Sequence, residues 1–221
     1  MRSDPSSADT PADRQRMNAI YKYLRHIYDA SRKYYLLGRD QLIKELDCQP
    51  GEHVIEVGCG TARNLIKLQS AYPQTHFYGL DASDEMLKTA SKNLKSNNLS
   101  IPIRQGLAQE FDPETLFGIR APDRVIFPYA LSMIPQWRDS IDHALAMLAE
   151  GGEIAVVDFG GQEGLPGIFR WLLFKWLALF GVHYRPGLYD YFRQMDRKGK
   201  GRADIRPIYR GYAVIVRFVK A

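Results

Sequence analysis

The chain changes its hydrophobic period several times along its length, and the changes mark its elements. Across residues 21–46 apolar side chains recur at helical spacing, with Leu24, Ile27 and Tyr28 on one face after Ile20. Leu36, Leu37, Leu42, Ile43 and Leu46 continue that face, and Gly38 is placed to break it. After the Pro50-Gly51-Glu52 turn the pattern becomes a short continuous apolar run, HVIEV (53–57), as a buried strand requires. Thr61 is positioned to cap a helix reaching Ala71, and THFYGL (75–80), closed by Asp81, is the next strand. Ser83 opens a further helix that carries Met86 and Leu87 inward and ends at Asn97-Asn98. SIPIRQG (100–106), DRVIFPY (123–129) and EIAVVDF (153–159) read as strands, with a helix over 136–149.

Strands separated by helices, each strand a near-continuous apolar run, predict a parallel sheet covered on both faces. The tail differs. ADIRPIY (203–209) and YAVIVRFVK (212–220), joined at Arg210-Gly211, predict an antiparallel hairpin at the edge. The expected fold is α/β and Rossmann-like, a seven-stranded, mostly parallel sheet ending in that hairpin. Residues 1–16 mix Asp, Arg, Pro and Ser and read as a disordered leader without the apolar stretch of a secretory signal. The remainder, 17–221, reads as one domain, with a helical lid at 17–50 and an apolar and basic insert at 160–202.

Composition narrows the classes. Two cysteines exclude a disulfide scaffold and a multi-cysteine zinc module, and no metal is expected. Thirty Lys and Arg against 25 Asp and Glu leave a net charge of +5, a mild bias toward acidic partners. No apolar stretch reaches the roughly 18 residues that a membrane-spanning helix needs. The nearest, 165–180, is interrupted by Arg170 and Lys175.

Glu56-Val57-Gly58-Cys59-Gly60-Thr61 leaves the first strand and opens the first helix of the sheet. Gly58 and Gly60 let the backbone approach a ligand closely. Asp81 ends the second strand, where a carboxylate can accept from both hydroxyls of a ribose. A dinucleotide fingerprint needs a third glycine where Arg63 stands, so an NAD site is the weaker reading. Glu56 at the pocket mouth repels a pyrophosphate but suits an amino-acid-bearing nucleoside, which points to S-adenosylmethionine (SAM).

On these residues the chain resembles the class I SAM-dependent methyltransferases, through VIEVGCGTARN (54–64) and YGLDASDEML (78–87), over residues 20 to 220. The resemblance implies that Glu56, Gly58 and Gly60 hold the methionine portion of SAM, that Asp81 holds the ribose, and that Ala82 and Met86 pack on the adenine. Ala62 stands where many members carry glycine, and Leu107 where many carry an adenine-binding Asp. Backbone at Ala108 or the side chain of Gln109 is expected to take over that contact. Within the class, 21–43, FPYALSMIPQW (127–137) and AVVDFGGQEGLPGIFRWL (155–172) look like bacterial betaine-lipid N-methyltransferases. That likeness implies up to three methylations of the amino group of diacylglyceryl-homoserine, with the enzyme that makes this lipid as a partner. Another lipid amine, a quinone-type acceptor, or a non-catalytic SAM-binding subunit are the alternatives.

Methyl transfer from a sulfonium depends mainly on alignment and a dry pocket. Tyr28, in the lid, and Tyr129, after the fourth strand, are the candidate catalytic residues, since an aromatic face can hold a sulfonium or a methylammonium. Both read equally as packing residues. His26 and His183 are weaker proton acceptors, better read as surface positions. Asp158 faces the acceptor or caps the next loop. Cys59 lacks a neighbouring base and reads as loop packing.

The insert GLPGIFRWLLFKWLALFGVHYRPGLYDYF (164–192) places apolar and Trp residues around nearly the whole of a helix. It is expected either to be buried or to dock on a membrane, with Trp rings at the headgroups and Arg170 and Lys175 snorkelling. The basic run from Arg193 to Arg202 would add attraction to anionic lipid. No specific nucleic-acid binding is expected. The sequence thus predicts a cytoplasmic protein held peripherally at the inner face of a membrane.

Overall fold

The computed structural model describes residues 36–221. Five parallel strands follow one another: β1 (His53–Val57), β2 (His76–Asp81), β3 (Ile103–Gln105), β4 (Arg124–Pro128) and β5 (Glu153–Phe159). β6 (Gly201–Ile208) and β7 (Ala213–Lys220) close the seven-stranded sheet antiparallel, in the order β3-β2-β1-β4-β5-β7-β6. Every residue of β5 is buried, which explains its unbroken apolar run. The order reverses between β1 and β4, so the ligand crevice lies beyond their carboxyl ends.

Among the described residues seven helices precede or connect the strands: α1 (Arg39–Glu45), α2 (Arg63–Ala71), α3 (Asp84–Ser96), α4 (Pro113–Phe117), α5 (Trp137–Met147), α6 (Gly167–Ala178) and α7 (Leu188–Arg197). Gly38 breaks the chain before α1 as its φ of 86° requires. Ser83 caps α3 by accepting from the Met86 amide. Thr61 does not cap α2. The glycine loop keeps turning through Ala62, at φ 63°, so the helix starts later and has no side-chain cap. The third strand is only three residues long, less than the run at 100–106 suggests, because Pro102 has no amide to give to a ladder. The lid's residues 17–35, with His26 and Tyr28, lie outside the described residues, as does the 1–16 leader.

The main core gathers β1, β4, β5 and β7 under α5 and α7, with Phe127, Ile141, Phe192 and Phe218 fully enclosed. At the amino edge of the sheet, Glu153 accepts from both Arg124 and Arg217, and Arg124 also donates to Glu52 at 2.9 and 3.0 Å. Removing one partner of a buried pair strands the other charge. Glu153→Ala should therefore lower the unfolding free energy by about 3 kcal/mol in urea titration, since Arg124 keeps only Glu52.

The insert forms two helices of opposite character. α7 buries Leu188, Phe192 and Met195 along one stripe. α6 buries only Leu177, and it leaves Ile168 (74%), Phe169 (46%), Trp171 (55%) and Leu172 (55%) open, with Leu179 exposed just beyond. The basic run does not extend this surface. Gly201 pairs with Lys220, whose amide donates to the Gly152 carbonyl before β5, so residues 198–202 sit at the amino edge. α6 follows the carboxyl end of β5, roughly 20 Å away along a seven-residue strand. Nearness in sequence placed the charge and the Trp-rich helix together, and the hairpin's antiparallel return parts them.

Candidate functional site

The glycine loop is held by β2. The amides of Gly58 and Cys59 both donate to the Leu80 carbonyl, at 2.8 and 3.0 Å. Gly58 has φ 73°, and a Cβ there would come within 2.9 Å of the Ala130 Cβ. The loop thus turns where only glycine fits easily.

Asp81 organises both sides of the crevice. Its Oδ2 accepts from the Gly60 amide at 2.8 Å and its Oδ1 from the Ser83 amide at 2.9 Å. Each oxygen keeps a lone pair for a ribose hydroxyl. Glu56 is buried on β1, and its Oε1 accepts from the Asn64 side chain at 2.8 Å. Its Oε2 is buried without a hydrogen-bond partner, the opening that an ammonium would fill. Burial pushes the Glu56 carboxyl up to about 8, against the Asn64 hydrogen bond and the positive charge of Arg39. Ala82 is exposed, Met86 half-buried and Ala108 buried, all after the ends of β2 and β3. Leu107 is open beside them, so an adenine could find apolar walls there while Gln109 is half-buried. These residues fit SAM: an orphaned acceptor for its ammonium, a glycine cradle, and a carboxylate for its ribose.

Other candidates take different roles. The Tyr129 hydroxyl donates to the Leu37 carbonyl, and burial holds its pKa well above 10. It is therefore a donor and not a proton acceptor; what it offers is a buried ring, edge-on to Phe159, on a backbone at φ 60°. Asp158 caps: it accepts from the Ser132 amide at 2.9 Å and from the Phe159 amide at 2.8 Å. Burial raises its carboxyl to about 6. His183 is exposed and gives its backbone amide to Ser132. Cys59 is buried with its thiol pushed up, which leaves no nucleophilic thiolate. Two of the buried polar residues that escaped the sequence reading, Asn64 and Arg39, act on Glu56. Asn64 lies eight positions after its partner Glu56, a spacing without a local signature. Among the described residues no His, Cys, Asp and Glu cluster could hold a metal.

The sheet order, the glycine loop after β1 and the carboxylate ending β2 define the class I methyltransferase fold. Solved structures agree. The chain superposes on a mitomycin 7-O-methyltransferase with a TM-score of 0.71 at 16% identity, over 94% of this chain and 60% of that one. A putative methyltransferase from Bacillus halodurans gives 0.62 at 13% identity, over 82% and 98%. Residues 54–152 match the family described as a methyltransferase domain. The demethylmenaquinone methyltransferase of Listeria monocytogenes serotype 4b is 24% identical over 215 residues, 90% of this chain and 87% of that protein. The chain is a SAM-dependent methyltransferase.

Proposed function

We propose that this enzyme methylates the amino group of a membrane lipid, diacylglyceryl-homoserine, up to three times to give a betaine lipid. The observation that carries a lipid acceptor is α6: a mostly exposed apolar helix at the carboxyl edge of the sheet, the edge to which the crevice opens. No acidic residue lies between Glu163 and Asp190, and Lys175 rests over the Trp171 ring at 4.5 Å. An apolar, Trp-bearing, purely basic face suits an anionic bilayer surface, with its apolar side chains below the headgroups. No helix among the described residues is long and apolar enough to cross a membrane.

When bound, SAM supplies an electrophilic methyl group whose sulfide leaves with its electron pair. Glu56 and Asp81 would hold and orient it, the glycine loop would bring the backbone close, and the buried walls would exclude water. The acceptor nitrogen must be unprotonated, which a desolvated pocket favours without a strong base. A methyl transferred to an already dimethylated neutral amine leaves no proton to remove. The Tyr129 ring is proposed to face the cationic groups. A second reading, C-methylation of a quinone-type lipid, is favoured by the demethylmenaquinone methyltransferases among the relatives.

Incubation with methyl-labelled SAM and a membrane-lipid extract separates the two. Label should appear in a lipid with a fixed positive charge; label in a quinone overturns the amine reading. For the membrane contact, the triple change Trp171→Ala, Leu172→Ala, Leu179→Ala should cut pelleting with anionic vesicles at least tenfold. Its thermal midpoint should stay unchanged, because all three side chains are exposed. Equal pelleting of the wild type and the variant would remove α6 from the contact.

A further inference from the structure

Beyond the SAM cleft, the carboxyl end of β5 carries a second unmatched polar group. Gln162 is wholly enclosed, and neither its Oε1 nor its Nε2 has a hydrogen-bond partner. A buried amide able to donate twice and accept twice is costly to leave unmatched. The same residue bears a second cost, a backbone φ of 60° in the left-handed region that a long side chain rarely adopts. The loop holds it there: the Gln162 amide donates to Gly211 at 2.8 Å, and its carbonyl accepts from Leu165 at 3.1 Å. Two local costs at one position are the signature of a residue kept for a ligand.

The surroundings say what kind. A Cβ built on Gly160 would stand 3.2 Å from the Tyr189 hydroxyl, and one on Gly161 would stand 2.9 Å from the Tyr184 hydroxyl. The carboxylate of Glu163 crowds the same turn, and Asp158 is the next-to-last residue of the strand before it. Hydroxyls and carboxylates gathered here favour a cationic or hydrogen-donating amine. The SAM residues occupy the β1–β3 side of the edge, so the β4–β5 side is left for the acceptor.

We propose that Gln162 determines acceptor specificity by binding the polar head group, its Nε2 donating to the head group's carboxylate throughout and its Oε1 accepting from the amine for as long as the amine carries an N–H. This rests on the lipid-amine reading given above. Gln162 is sealed in the present conformation, so the head group enters as the turn opens. Gly160, Gly161 and Gly164 give that turn the necessary backbone freedom.

The test is Gln162→Met, which keeps the side chain's length and removes its amide. Wild type and variant are assayed with labelled SAM against purified diacylglyceryl-homoserine in mixed micelles. The variant should keep its thermal midpoint or raise it, bind SAM within twofold of wild type, and lose at least 30-fold in kcat/KM for the lipid. Gln162→Glu, which removes the donor and sets a like charge against the head group's carboxylate, should lose at least as much. Wild-type kcat/KM in the Met variant overturns the proposal, and so does a fall in thermal midpoint with parallel loss of SAM binding. If the wild type leaves diacylglyceryl-homoserine unlabelled, the lipid-amine reading fails by itself. The variants are then compared on the lipid that the wild type labels in a membrane extract, and an unchanged rate there overturns the role of Gln162 separately.

Discussion

Asp81→Ala should bind SAM 10²- to 10⁴-fold more weakly by titration calorimetry and lose activity in proportion at subsaturating cofactor. Two hydrogen bonds from ribose hydroxyls to a carboxylate are each worth about 1.5–3 kcal/mol, and every 1.4 kcal/mol is a factor of ten. The substitution also frees the amides of Gly60 and Ser83, which Asp81 now satisfies at 2.8 and 2.9 Å. A stability loss of about 2 kcal/mol should accompany the binding loss. Asp81→Asn separates the two effects, because its one carbonyl oxygen can keep a single amide in place while the charge is gone. SAM affinity within a factor of three of wild type in Asp81→Ala would remove Asp81 from the cofactor site.

SAM affinity should rise with pH up to about 8, by as much as tenfold per unit, and binding at pH 7 should release a proton. The cause is Glu56, whose carboxyl burial lifts from 4.5 to about 8. In the free enzyme Glu56 is mostly protonated at pH 7, whereas an ammonium against Oε2 demands the carboxylate. The sign for stability follows from the same shift. Between about 4.5 and 8 the folded chain holds a proton that the unfolded chain has released. Stability of the SAM-free enzyme therefore falls as pH rises through that window, by about 1.4 kcal/mol per unit from this group. Asp158, raised from 3.8 to about 6, adds a fall of the same sign at the acid end. Calorimetry in buffers of different ionisation enthalpy reads the proton directly. Glu56→Gln should flatten the pH dependence of binding, and a slope unchanged in that variant would assign the proton elsewhere.

The parts of this molecule that were legible in sequence are those where one local cause suffices. β1 and β5 are buried on every or nearly every residue, so their apolar runs stand out. Glu56 and Asp81 announce themselves because an acid at a strand end, beside a glycine turn, has few other uses. The short α4 was missed because five residues are too few to show a helical period, although Asp112 before Pro113 is a capping signal. α7 was missed because its stripe is only Leu188, Phe192 and Met195 among charged neighbours. Asn64, Arg39 and Gln162 carry no signature of their own. Their meaning comes from what the fold brings beside them, or in the case of Gln162 fails to bring.

The crevice residues lie over β1, β2 and β3, while α6 leaves the edge from β5, on the other side of the point where the strand order reverses. If α6 rests on a bilayer, as proposed, the enzyme would have two separate doors. Spent cofactor could exchange through water on one side while the lipid stays seated from the membrane on the other. Such an enzyme need not release a partly methylated lipid between turnovers. At low enzyme and excess lipid, the trimethylated product should then build up ahead of the mono- and dimethylated forms.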